Sequence, residues 1–483
     1  MGTETGAHEF HDRNYLEFTA RMRNQLALLR RRLDRGELDN GTASLGAELE
    51  LYLVDANARP LPRNRELLDR ANNPHLQLEL NRFNLEYNLP PVPCAGQPFS
   101  RFTAMVENTL AEVNGVAADL GGRLAAVGIL PGLRIEDFRD CMTDSPRYRA
   151  LAENLRRIRG EPFHVHIRGL HEEVVADCDD VSLEGANSSW QLHLRVGARE
   201  FADWFNAIQL VTPLALGMAG NSSLLFGKAL WEETRVALFR QSIDSRMPHL
   251  GRWHQPARVS CGEGWLRRDA WELFASAVAL YPPIIPECFD DPPEHLSELR
   301  LHMGTVWLWN RPVYDPADGG HLRIEMRALP AGPSAVDMAA TSAFLVGAAN
   351  ALRPEIEQLT AALPFRYCEH NFLEAARRGL ESRMIWPCST QIQLFERPLE
   401  DIVRELLPRA REGLEALGVD PAEARKHCDL IQARLDAHQT GSTWLRRARE
   451  RLGSDPEAIA RLMEHYLRHQ AGGRAVHEWE LPE

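Results

Sequence analysis

The stretch "GAELELYLVD", residues 46 to 55, decides how the chain is read. Side chains of an extended strand alternate between its two faces. Ala47, Leu49, Leu51 and Leu53 therefore share one face, and Glu48, Glu50, Tyr52 and Val54 share the other. The two carboxylates stand about 7 Å apart along such a strand and repel each other. A solvated outer face of an antiparallel sheet tolerates that pair. So does a face where a cation or cationic side chains sit between the acids. The rest of the chain weighs one against the other.

The same alternation recurs downstream. In "SSWQLHLRV", Ser189, Gln191, His193 and Arg195 oppose Trp190, Leu192, Leu194 and Val196. In "HLRIEMRAL", His321, Arg323, Glu325 and Arg327 oppose Leu322, Ile324, Met326 and Ala328. In "FHVHIRGL", His164, His166 and Arg168 oppose Phe163, Val165 and Ile167. In "LQLELNRFNLEYNLPP", Glu79 and Glu86 are seven apart, an odd separation that puts both on one face only if the chain bends near Asn81 to Asn84. A merely solvated face would be rich in Thr, Ser and Glu. This one is Glu, His, Gln and Arg, which suits hard divalent cations and anions. A charged, functional sheet face is the expectation.

Glu48, Glu50, Glu79, Glu86 and Glu325 on one sheet suit Mg²⁺ or Mn²⁺, which favour oxygen ligands and accept an occasional imidazole. Mg²⁺ usually shares its shell with substrate phosphates, so the pattern points to nucleotide chemistry. Yet no GxxxxGK[ST] occurs, and "GNSSLLFGKALWEETR" lacks that spacing. No GxGxxG opens a helix after a strand, and no GxSxG is present. A phosphate-binding enzyme without those loops has to hold its nucleotide with metals and arginines on a sheet.

Composition sets the outer bounds. At 483 residues the chain can bury a sizeable core, and its 44% apolar and 25% charged residues are ordinary for a soluble globular protein. A net charge of −13 disfavours nucleic acid as a partner. Lys228 and Lys426 are the only lysines, so a fixed cation on phosphate or carboxylate is an arginine, the bidentate binder. Eight scattered cysteines without a CxxC pair fit reduced, buried thiols. The N-terminus has no apolar leader and no later run looks long enough to span a membrane, the longest being Phe344 to Leu352. The expectation is a cytoplasmic protein without a membrane partner.

Helical spacing runs from Asn14 to Leu33, from about Ser100 to Leu120, from about Glu200 to Met218 and from about Ala335 to Leu352. Beyond Arg397 the pattern is almost wholly helical, with Pro421 and Pro456 at first helical positions. Strands far apart in sequence, with helices between them but no βαβ regularity, predict an α+β architecture. A boundary near 395 divides a catalytic domain, 1–395, from a helical C-terminal region, 396–483.

Five motifs in order resemble the glutamate–cysteine ligases of the wider carboxylate–amine ligase family, whose fold is shared with glutamine synthetase. They are the acid-x-acid strand (Glu48, Glu50), the acid pair seven apart before a proline (Glu79, Glu86), and the single strand histidine, His193. An "NSP…G…R" loop follows as Asn221, Ser222, Gly227 and Arg235, with Ser223 where the family often has proline. An "IEMR" strand supplies Glu325 and Arg327, followed by Pro333. The resemblance implies a curved antiparallel sheet of about six strands with flanking helices, ATP with Mg²⁺ or Mn²⁺, and a γ-glutamyl phosphate intermediate. It implies metal ligands at Glu48, Glu50, Glu79, Glu86, His193 and Glu325, and catalytic arginines at Arg327 and Arg235. Gln191, Asn221 and Arg311 would contact substrate or ATP. The substrates implied are small molecules, glutamate and an amine such as cysteine, as in glutathione biosynthesis. Another carboxylate or amine, a guanidino kinase and a non-catalytic binding module stay open. His164 and His166 read as a satisfied polar strand face, Trp307 and Trp309 as an aromatic cluster, and "HQTGSTW", 438 to 444, as a turn.

Overall fold

Leu49, Leu51 and Leu53 are fully buried, on the apolar face of a twelve-residue strand, β1, Ser44–Asp55. The computed structural model describes residues 10–39, 41–246, 255–388 and 392–483. β1 is the centre of an antiparallel sheet completed by β2 (Leu76–Leu78), β3 (Asn84–Pro93), β4 (Gly122–Ala125), β5 (Trp190–Val196), β6 (Asn310–Asp315) and β7 (His321–Met326). Six strands run in the order β6-β7-β5-β1-β3-β2, and the short β4 pairs with the Tyr52–Asp55 end of β1. The sheet curls into a half-barrel, the curved antiparallel sheet of about six strands that the resemblance implies.

Helices cover the apolar face. They include α1 (Asp12–Asp34), α2 (Pro98–Asp119), α3 (Phe201–Ala219), α4 (Ala335–Leu352), α5 (Leu399–Ala416) and α6 (Pro421–Ala437). Trp190 of β5 faces this layer: its ring meets Phe102 edge-on at 6.0 Å, and its indole N–H donates to Ser342 Oγ at 2.8 Å. The opposite face divides. Its Glu48–Glu50 end is polar, whereas Tyr52 and Val54 enter a second apolar core with α7 (Gly441–Leu452) and α8 (Pro456–Ala471).

Three expectations change. "FHVHIRGL" forms a strand, Phe163–Arg168, that pairs only with Glu173–Cys178 in a hairpin outside the main sheet. Its His164 and His166 meet Asp177 and Glu173 at 2.7 and 2.9 Å, so they satisfy local carboxylates. Ala335–Ala362 is long and apolar enough to cross a membrane by length and composition, but most of its apolar stretch is buried inside the molecule. It contains the helix behind the sheet, and its apolarity is that of a core. Residues 396–483 are mostly helical as read, yet α5 and α6 share the core of α3 and α4, so no separate core begins at 395. Pro421 and Pro456 do open their helices, and Trp307 and Trp309 do pack on Phe239, at 6.2 and 5.8 Å.

Candidate active site

Strand register assembles the polar face. Arg311 on β6 stands across from Glu325 on β7, and Glu325 across from His193 on β5. Glu48 on β1 stands across from Gln191 on β5, and Glu50 across from Glu86 on β3. Residues far apart in sequence thus form one row because each has the parity that turns it to this face.

At one end of the row Glu48, His193 and Glu325 are all buried, and one ligand atom from each lies within 4.8 Å of the others. His193 Nε2 is 3.1 Å from Glu48 and 3.7 Å from Glu325, yet among the described residues neither ring nitrogen has an aligned hydrogen bond. A buried imidazole between two carboxylates fits an oxygen- and nitrogen-ligated divalent cation. Glu325 also receives Arg311, Nε at 2.6 Å and Nη2 at 3.0 Å, while Arg327 Nη1 lies 3.3 Å away. Burial alone would push the Glu325 carboxyl up; Arg311, Arg327 and His193 outweigh it and hold the group well below the usual range. Burial likewise opposes the charge on Arg327, and Glu325, Glu50 and Glu48 reverse that and keep it protonated.

Glu50 is fixed by the amide of Ser189 and by Gln191 Nε2, both at 2.7 Å, and Gln191 Oε1 in turn accepts from Arg327 Nη1. Gln191 therefore bridges an acid and an arginine and has no polar atom left facing outward. Glu86 accepts from Asn88 at 2.7 Å, yet burial, then the charge of Glu48, lifts its pKa to about 7. Glu79 lies beyond the end of β2, in a bend spanning 79–83 as the parity of Glu79 and Glu86 demands. Burial, then Glu86 and Glu50, push it well above the ordinary range. Glu184, on the short 3-10 turn Ser182–Ala186 ahead of β5, joins this group; burial and the charge of Glu50 lift it to about 7. Sequence reasoning missed Glu184. A turn residue carries no periodicity, and its only signal was an acid shortly before the histidine strand. Glu79, Glu86 and Glu184 are each held up by burial and by neighbouring carboxylates, so this part of the row is short of positive charge.

Arg235 and Asn221 are both buried and hydrogen-bonded within the protein. Arg235 is buried with its guanidinium on Glu233 and on the Ala328 carbonyl, each at 3.1 Å. It anchors the chain just after Arg327, and its charge still reaches Glu50. Asn221 is fully buried, its amide nitrogen donating to Ala331 O at 2.7 Å and to Tyr466 Oη at 2.8 Å. It ties the sheet end to α8.

The model of glutamate-cysteine ligase family 2 matches residues 44–465. A curated relative from Rubrobacter xylanophilus, provisionally named glutamate--cysteine ligase 2-3, is 25% identical over 380 residues, 77% of this chain and 86% of that protein. The crystal structure of the Francisella tularensis glutamate–cysteine ligase in complex with AMP superposes with a TM-score of 0.51 at 11% identity, over 92% of this chain and 91% of that one. That last likeness speaks to the fold. The family match runs from the first acid strand into α8, and on it the chain belongs to glutamate–cysteine ligase family 2, an ATP-dependent carbon–nitrogen ligase.

Proposed function

We propose that the protein joins the γ-carboxylate of glutamate to the amine of cysteine, through a γ-glutamyl phosphate made at the expense of ATP. A γ-carboxylate oxygen attacks the γ-phosphorus, forming the acyl phosphate and releasing ADP. The amine nitrogen then attacks the acyl carbon, phosphate leaves, and the amine gives up one proton. The observation that carries this reading is the buried row in which His193 stands between Glu48 and Glu325 while Arg327 reaches Glu325 and, through Gln191, Glu50.

Glu48, His193 and Glu325, with Glu50, Glu79 and Glu86 beside them, would hold Mg²⁺ or Mn²⁺, which neutralises phosphoryl charge when bound. Arg327 presents a planar fork at the same end of the row and supplies fixed positive charge where phosphoryl charge develops. Arg311 pins Glu325 by two hydrogen bonds, so the carboxylate is oriented before substrate arrives. Arg235 and Asn221 act as positioning residues in this reading. The apolar layer behind the row excludes water from one side and strengthens each electrostatic contact on the other.

A panel of carboxylates and amines, scored by phosphate release and by amide formation, tests the assignment. Phosphate release with glutamate and cysteine together, accompanied by γ-glutamylcysteine, is the expected result. Release with glutamate and a different amine would reassign the acceptor. A stable phosphorylated amine without free phosphate would replace ligase chemistry by that of a kinase.

A further inference from the structure

A cavity of about 390 Å³ lies away from the acid row. Its lining includes the turn after β1, the loop Pro131–Glu136, the exposed strand of the Phe163–Cys178 hairpin and the first turn of α8. The direct path to the acid row is filled. Phe226 at the cavity wall meets Phe138 edge-on at 6.1 Å, Phe138 meets Phe83 at 6.0 Å, and Phe83 stacks on Tyr52 at 6.2 Å. Phe138, Phe83 and Tyr52 are buried, so the cavity is separate from the site described above.

Its walls are apolar at Leu133, Ile135, Val175, Phe226 and Ile459. Val175 is 58% exposed and Ile135 37%, two of the six large apolar side chains left exposed among the described residues. Phe226 has φ of +51°, a left-handed conformation that a bulky residue adopts at a cost, and it turns toward this space. Exposed apolar side chains gathered around one concavity mark a ligand site. Three charged side chains line the cavity, Arg59, Arg134 and Glu136. Neither Arg134 nor Glu136 makes a salt bridge among the described residues, whereas Arg59 beside them is tied to Asp137 at 2.5 Å.

We propose that this cavity binds a free amino acid with a large apolar side chain. The side chain enters between Ile135, Val175, Phe226 and Ile459, Arg134 receives the α-carboxylate and Glu136 the α-ammonium. A cation and an anion without a salt bridge among the described residues, lining an apolar hole, match a zwitterion with an apolar body, and they disfavour a simple anion, which Glu136 repels. The inference is independent of the ligation chemistry, since no residue of the row takes part.

Equilibrium dialysis of the full chain with radiolabelled L-phenylalanine tests it. The expected result is saturable binding at one site, weakened at least about tenfold in Arg134→Ala and Glu136→Ala, each of which removes one charge-assisted contact. N-acetyl-L-phenylalanine and L-phenylalaninamide should compete poorly, and glycine not at all. Val175→Asp places a charge on an exposed wall position, where folding is safe, and should abolish binding. Glu48→Ala should bind normally, which separates this site from the acid row. Absence of saturable binding would overturn the proposal. So would binding that survives Val175→Asp, or that is lost in Glu48→Ala with the fold intact. Equal competition by N-acetyl-L-phenylalanine would replace the zwitterion by an aromatic anion and overturn the role of Glu136.

Discussion

Gln191 donates to Glu50 Oε1 at 2.7 Å and accepts from Arg327 Nη1, and these two contacts use both ends of its amide. Gln191 is expected from the sequence as a substrate contact; we propose instead that it is a spacer holding an acid and an arginine at fixed separation. Gln191→Leu removes both bonds at nearly equal volume. It should lower kcat roughly 10²-fold, the scale of losing a preorganised electrostatic contact, while KM for glutamate stays within about threefold. A raised KM with unchanged kcat would restore the substrate contact. The acids make a second prediction. Glu86 and Glu184, both lifted to about 7, hold their protons more tightly folded than unfolded. Their stabilising contribution is complete below the ordinary carboxyl pKa and is lost as pH rises through about 7. In excess chelator the melting temperature should therefore fall between pH 5 and pH 8, and added Mg²⁺ should restore more of it at pH 8 than at pH 6. A chelated protein whose melting temperature rises over that window would contradict the assigned burial of these acids.

At the scale of elements, the bend carrying Glu79 is held by a second segment. Thr143 N donates to Leu80 O at 2.7 Å and Thr143 Oγ1 to Glu79 O at 2.6 Å, while Arg82 N donates to Cys141 O at 2.7 Å. Asn64 Nδ2 donates to the carbonyls of Asn81 and Asn84 and to Thr143 Oγ1, at 3.0 to 3.1 Å. Asn64→Ala leaves those buried acceptors short of a donor and should cost about 1–3 kcal/mol. Chemical denaturation should show the loss, with turnover falling further than the folded fraction because Glu79 loses its support. The parity of Glu79 and Glu86 made the bend legible. The bracing segment was not, since Asn64 and Thr143 carry no pattern of their own. The same limit explains "FHVHIRGL": alternation identifies a strand and its faces, but pairing partners are set by contacts that local sequence does not encode.

Across the whole molecule, the parity of Glu48, Glu50, Gln191, His193, Glu325 and Arg327 was enough to place one polar face, because a half-buried sheet fixes register. The role of the C-terminal helices was not legible. Asn221 meets Tyr466, and Arg434 meets Asp337 at 2.8 Å, through pairings between positions far apart in the chain. The change to an almost wholly helical pattern beyond Arg397 therefore looked like a boundary, although α5 and α6 share the core of α3 and α4, and α7 and α8 join the second core with Tyr52 and Val54. Gly413 of α5 sits so close to α4 that a Cβ would run into the Gly347 carbonyl oxygen. Gly413→Ala should push the helices apart and lower stability by about 1–3 kcal/mol, as overpacking does, and thermal melting would register it.

Formation of a γ-glutamyl phosphate at the acid row would be recorded in the fate of the carboxylate oxygen. Glutamate labelled with ¹⁸O in its γ-carboxylate would be turned over with ATP and cysteine, and the released phosphate read by ³¹P NMR. Attack of the carboxylate on the γ-phosphorus predicts one ¹⁸O in each phosphate formed from fully labelled glutamate, with ADP as the nucleotide product. Unlabelled phosphate, or ¹⁸O appearing in AMP, would contradict it.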